Sequence, residues 1–143
     1  MKQLKFNHYA IWLSIILSQA IPLLWYSLFS ERWKTLREIE HSYLQPSDTS
    51  WFFGISILGS VVAMYLLAWL FRRMTVESAR EGMIAGLIIG LAFNIVSLMT
   101  IQMLAIRPLE LALIDESANA LVFGVAGLIL GSWRQYEEAP RLE

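Results

Sequence analysis

Cysteine is missing from this 143-residue chain. Disulfides, thiolate nucleophiles and cysteine-held metals are therefore excluded, and with them the thiol-redox four-helix membrane enzymes, which need cysteine pairs. Histidine is nearly missing too. His8 and His41 are the two present, and the topology derived below sets them on opposite sides of a membrane, so they cannot jointly hold zinc or haem. No metal, cofactor or catalytic residue is assigned on these grounds. Charge is scarce, at 16% of residues, and balanced, with 11 cations against 12 anions. Without a basic tract there is no electrostatic footprint for nucleic acid. Period-two alternation is also lacking, which excludes a membrane β-barrel and leaves no strand for a glycine-rich phosphate loop to follow.

What is present is apolar: 57% of residues are hydrophobic, and the mean hydropathy is +0.53. Crossing a hydrocarbon core of ~30 Å takes about 20 apolar residues in a helix. Four runs qualify, at about residues 9–29, 51–71, 83–104 and 111–133. Backbone N–H and C=O groups must pair internally in lipid, so each run is expected to be a helix. The expected fold class is all-α, an integral membrane four-helix bundle forming a single domain over residues 1–143. Lys2 and Lys5 before "IWLSIIL" imitate a signal peptide, but the apolar run continues through "IPLLWYSLF" to a full span, which favours a retained anchor. Between the first two spans, Trp33, Leu36, Ile39 and Leu44 recur at near-helical spacing among charges. This predicts a short amphipathic interfacial helix over about residues 31–44, capped by Ser30 and ended by Gln45, Pro46 and Ser47. The remaining connections are short, which predicts that sequential helices are antiparallel neighbours.

Four spans put the chain ends and the second connection on one side, with Lys2, Lys5, Arg72, Arg73, Arg80, Arg134 and Arg141. The other side carries Arg32, Lys34, Arg37 and Arg107. Short cytoplasmic loops are rich in Lys and Arg, so both termini are expected in the cytoplasm, with a bacterial inner membrane as the location. Trp25, Trp33 and Trp51 would mark one membrane boundary, and Trp12, Trp69 and Trp133 the other.

Inside the third span, Gly82, Gly86 and Gly90 are four apart, with Asn94 and Ser97 continuing the stripe. Gly127 and Gly131 repeat the spacing on the fourth span, and Gly59 with Ala63 on the second. Lipid does not drive helices together, so close approach at small residues must do so. These stripes are expected to be packing surfaces, either within the bundle or as the seam of a homodimer. Gln19, Asn94, Gln102 and Asn119 read first as interhelical hydrogen-bonding groups and second as the lining of a ligand site.

Asp115 and Glu116 admit two readings. If the last helix begins at Asp115, the aspartate is an N-cap and Glu116 faces the helix dipole. If it begins at Pro108, Asp115 lies nearly two turns inside, where a carboxylate is a functional candidate. Arg107, His41, Glu38 and Glu40 would lie on the same side as partners.

The segments "LLWYSLFSERW" (residues 23–33) and "LIDESANALVFGVAGLILGSW" (residues 113–133) resemble a family of small four-helix membrane proteins catalogued as domain of unknown function 1761. In that family a first helix ends in Trp-Tyr with another Trp several residues on, and a last helix is reached through an aspartate and closed by a glycine-rich stretch. Trp25, Tyr26, Phe29, Trp33, Asp115, Gly127 and Gly131 carry the likeness. Pro22 stands where a glycine is expected, and Ala118 or Asn119 where an aromatic is expected. The resemblance implies the fold and the membrane location, and it carries over no activity. A weaker likeness, Trp-Tyr at the end of a first helix, is to the tryptophan-rich translocator proteins, which have five spans and bind lipophilic ligands.

Three functional readings follow. The first is a non-enzymatic protein that binds or transports a small lipophilic or weakly charged molecule, with Trp25, Tyr26, Trp33, Asp115 and Asn119 as candidate ligand-binding residues. The second is a structural or accessory membrane subunit, or a homodimer, packing through the glycine stripes. The third is a lipid-directed enzyme using Asp115, Glu116 and His41 as acid and base. The partners expected are the bilayer, a lipophilic ligand, and a second copy or larger membrane complex.

Overall fold

The computed structural model describes residues 2–41, 50–102 and 108–138. In order the elements are β1 (Lys2–Lys5), α1 (His8–Leu28), α2 (Ser30–His41), α3 (Ser50–Met74), α4 (Ala79–Ser97), a π-helical turn (Leu98–Gln102), α5 (Leu109–Ser132) and β2 (Gln135–Glu138). Four of the helices, α1, α3, α4 and α5, are long and apolar enough to cross a membrane. The short helix α2 lies between the first two, as its apolar spacing predicts. Leu23, Leu24, Phe53, Leu58, Ile88, Phe93 and Ile95 are all exposed, a surface that lipid solvates and water would not tolerate over such an area. This is a four-helix membrane protein.

Helix starts follow local chemistry that hydropathy does not report. Asn7 caps α1 by accepting from the N–H groups of Tyr9 and Ala10. Ser78 caps α4, accepting from the Glu81 N–H at 3.1 Å, while the Glu81 carboxylate takes the N–H of Glu77 at 2.8 Å. The α4 helix therefore begins at Ala79, four residues before the apolar run at Met83. Pro108 precedes α5, which runs from Leu109. Asp115 is thus the seventh residue of a continuous helix, and its reading as an N-cap is overturned.

No strand is expected from hydropathy, yet outside the spans β1 and β2 form an antiparallel ladder in the register Lys2↔Glu138 to Lys5↔Gln135. Asn7 strengthens the junction by donating its side-chain N–H to the Trp133 carbonyl at 2.8 Å. The two chain ends therefore lie on the same side of the bundle, as an even number of spans requires.

The central helix is α5, with 44% of its membrane window buried, against 22%, 17% and 22% for α1, α3 and α4. One core joins Ala10, Ile11 and Ile15 of α1 to Met64, Leu67 and Phe71 of α3 and to Val122, Ala126 and Leu130 of α5. Gln19 ties α1 to α3, donating to Ser60 Oγ at 2.7 Å. On the other side of α5 the glycines of α4 and α5 interlock. A Cβ on Gly82 would run into the carbonyl oxygen of Gly127, one on Gly86 into that of Phe123, and one on Gly131 would lie 2.5 Å from the Ser78 carbonyl. Gly124, outside the expected stripe, admits Leu87, whose Cδ2 would lie 2.8 Å from an added Cβ. Small residues give the two backbones their contact, and dispersion over that contact holds them.

Sequential helices are not all neighbours. Although only a short turn joins α3 to α4, their membrane segments diverge around a cleft. The reason lies in α5: α4 gives its small face to α5, and the Phe123 ring, 6.5 Å from that of Phe93, stands between α4 and α3.

The α3–α4 turn carries the one positive φ among the described non-glycine residues, Thr75 at 51°. Val76 N–H reaches back to the Phe71 carbonyl at 3.3 Å, and both side chains are buried in the core. This is a Schellman-type helix end with threonine where glycine is usual. A left-handed β-branched residue costs about 1–2 kcal/mol and the added freedom of glycine about 0.5–1 kcal/mol. Thr75→Gly is therefore expected to stabilise the fold by about 0.5–1 kcal/mol, measured as a raised denaturation midpoint in detergent.

Candidate functional site

Two places bring polar chemistry to apolar surroundings. At the first, the end of α1, the helix α2 and the start of α5 meet. Trp25 lies on the last turns of α1, and its Nε1–H donates to the Ile114 carbonyl at 3.1 Å. The Ser117 hydroxyl donates to the same oxygen at 2.8 Å. One turn into α2, Trp33 donates Nε1–H to Asp115 Oδ1 at 3.2 Å. The Tyr26 ring lies 5.1 Å from that of Trp33, Phe29 lies 5.0 Å from Trp25, and the Arg37 guanidinium sits 4.7 Å over the Trp33 ring. Beneath these aromatics, Leu36, Leu111 and Ile114 are buried together. At the rim, Arg32 makes a two-pronged ion pair with Glu110, both contacts 2.6 Å. The hydrogen bonds that Arg32 donates to the Glu110 carboxylate, then the charge of that carboxylate, raise the Arg32 pKa above its ordinary value.

Four of the five candidate ligand residues, Trp25, Tyr26, Trp33 and Asp115, are thereby brought together. Their indole N–H groups are given to Ile114 and Asp115, so this cluster anchors α2 to α5. Glu116 is buried, and its backbone carbonyl receives the Asn94 side-chain N–H at 2.5 Å. The side chains of Glu38, Glu40, His41, Gln102 and Arg107, and the helix end expected at Gln45, Pro46 and Ser47, lie outside the described residues.

The fifth candidate is elsewhere. Asn119 turns to α4, donating Nδ2–H to Asn94 Oδ1 at 3.0 Å. With Asn94 donating to α5 in turn, the two amides form a polar link between α4 and α5 at the end of the glycine seam. Asn119 also lines the second place, the cleft between α3 and α4, of ≈ 610 Å³. Its other walls are apolar, among them Ile55, Gly59, Val62 and Leu66 of α3, Phe93 of α4 and Phe123 of α5. The amide oxygen of Asn119 makes no hydrogen bond among the described residues. Sequence spacing put Asp115 and Asn119 one turn apart on a shared face. Side-chain partners on two different helices separate them.

The cleft was not legible in the sequence. Gly59, expected with Ala63 as a packing position, lines the cleft instead, and an added Cβ there would meet nothing within 4 Å among the described residues.

No curated protein and no solved structure matches the chain. Residues 9–131, from the first turn of α1 to the last turn of α5, are matched by the model of a family described as protein of unknown function (DUF1761). The chain belongs to that family.

Proposed function

We propose that this membrane protein binds a small lipophilic molecule in the cleft between α3 and α4, without catalysing a reaction on it. The observation that carries the reading is an apolar cleft of ≈ 610 Å³ with one amide, Asn119, in its wall. Small-molecule sites have this size and this composition, mostly apolar with a few oriented polar groups. Asn119 is ten residues from the start of α5 and Gly59 nine from the start of α3. At 1.5 Å per residue the amide lies about 15 Å along its helix, near mid-membrane. A ligand with a hydroxyl or carbonyl flanked by apolar groups satisfies that position. Transport of the same molecule is the extension of this reading. The excess of Lys and Arg on the side of the chain ends supports cytoplasmic termini in an inner membrane.

The test fills the cleft without disturbing the fold. Gly59→Phe adds a side chain where a Cβ meets nothing. With a long-chain alcohol bearing a diazirine as probe, the wild-type protein should be photolabelled on cleft residues such as Ala63 and Phe93. Labelling should fall at least about tenfold in Gly59→Phe and a few-fold in Asn119→Ala, as loss of one weak hydrogen bond implies. Unchanged labelling in a folded Gly59→Phe protein would sink the reading.

A second reading, an accessory subunit or homodimer, draws support from α3. The glycine stripes of α4 and α5 face each other within one chain, whereas Gly54 and Gly59 of α3 meet nothing within 4 Å. Crosslinks between copies, or to another protein, through α3 would favour it. A purely monomeric mass in mild detergent would count against it.

A further inference from the structure

We propose a second site, for the phosphate of an anionic phospholipid, at the recess where the two chain ends meet the turn after α3. Three cations from distant parts of the sequence line this recess: Lys5 of β1, Arg72 on the last turns of α3 and Arg134 just before β2. Phe6, Asn7 and Trp133 share the lining, which holds no carboxylate among the described residues. The gathering depends on tertiary structure. The ladder sets Lys5 opposite Gln135, and the Asn7 bond to the Trp133 carbonyl fixes the neighbouring arginine beside α3.

The cations are held in geometries suited to an oxyanion. The Arg72 guanidinium sits over the Phe6 ring, 5.4 Å from its centroid, and its planar fork of N–H donors matches the geometry of a phosphate. Arg134 is steadied by Nη1–H donation to the Tyr136 hydroxyl at 2.9 Å. The recess itself, ≈ 20 Å³, has room for about one water. The phosphate therefore sits across its mouth, bridged by the cationic rim.

Position selects the lipid. The recess lies where α1 begins and where α3 and α5 end, at the level of headgroups for helices of membrane length. Trp69 and Trp133, both exposed, mark the same level, and Arg73 stacks 5.6 Å over Trp69. Basic recesses between membrane helices on the cytoplasmic side recognise anionic headgroups.

The experiment is native mass spectrometry of the delipidated full chain in nonionic detergent, titrated separately with phosphatidylglycerol and phosphatidylcholine. Wild type should favour phosphatidylglycerol about 30- to 150-fold, as two to three cations near a lipid surface imply. Arg72→Gln combined with Arg134→Gln should bring the two lipids to parity. Arg80→Gln, an exposed cation on the first turn of α4, should leave the preference intact. Should the double variant fail to fold, the wild-type preference must still shrink as ammonium acetate is raised about tenfold. Equal binding of both lipids by the wild type, a salt-independent preference, or equal loss in Arg80→Gln would overturn the proposal. Displacement of phosphatidylglycerol by low-millimolar inorganic phosphate would overturn it too, by making free phosphate the ligand.

Discussion

Gly127→Leu is expected to force α4 and α5 apart, with a loss of more than about 3 kcal/mol measured by reversible unfolding in mixed micelles. A Cβ at Gly127 would collide with the Gly82 carbonyl oxygen, and the next nearest atoms are backbone of Gly82 and Gly86. Backbone cannot rotate away as the end of a side chain can. The helices must therefore separate, which also strips the Asn94 and Asn119 link. The matched control is Gly54→Ala, at a glycine whose Cβ would meet nothing within 4 Å, with an expected change within about 0.5 kcal/mol. Equal effects at Gly127 and Gly54 would show that the α4–α5 contact is not the one described. Gly124→Ala should fall between them, because its nearest obstacle is the end of the Leu87 side chain, which can shift.

Leu111→Ala is expected to cost about 2–3 kcal/mol and to release α2 while α4 and α5 stay paired. Leu111 is fully buried, and with Leu36 and Ile114 it forms the floor beneath Trp25, Tyr26 and Trp33. Removing its three terminal carbons leaves a cavity on which the aromatics rest, and buried leucine to alanine changes fall in the range of about 2–5 kcal/mol. The lower end applies because lipid, unlike water, does not penalise the exposed apolar surface. Amide exchange should rise over residues 30–41, and over 82–94 it should not. Exchange rising equally in both segments would mean that the bundle unfolds as one unit and that α2 is no separate anchor. The exposed Arg32–Glu110 pair should contribute little beside this floor, as surface ion pairs generally do.

The two substitutions act on different helices, so they separate the protein's two kinds of cohesion. One is backbone contact at glycine, the other an aromatic cap over aliphatic side chains. The cleft between α3 and α4 lies against the first and is independent of the second. Loss of ligand labelling in Gly127→Leu with retention in Leu111→Ala would follow from that placement.

Composition and hydropathy by themselves determined the class of this protein. Four runs of about 20 apolar residues can satisfy their backbone in lipid only as helices, whatever their neighbours are. The period of Trp33, Leu36 and Ile39 fixed α2 in the same local way, and the four-residue spacing of Gly82, Gly86 and Gly90 marked a close contact. Which helix supplies the other side of that contact is not local information. Only the tertiary structure paired the α4 stripe with Gly127 and Gly131 and left Gly59 open to the cleft. Helix ends were legible in principle, in Asn7 and in Ser78 with Glu81, but hydropathy averages over such polar caps. The position of Asp115 turned on whether Leu109 to Ile114 is helical, a choice set by the burial of Leu111 and Ile114 with Leu36, against which Trp25 packs. The split of Asp115 from Asn119 has the same origin. One turn of helix separates them, yet each is oriented by a different partner, Trp33 in one case and Asn94 in the other. Spacing along a helix fixes a residue's direction to within a face; the hydrogen-bond partner that satisfies it there is chosen by the packing of the whole bundle.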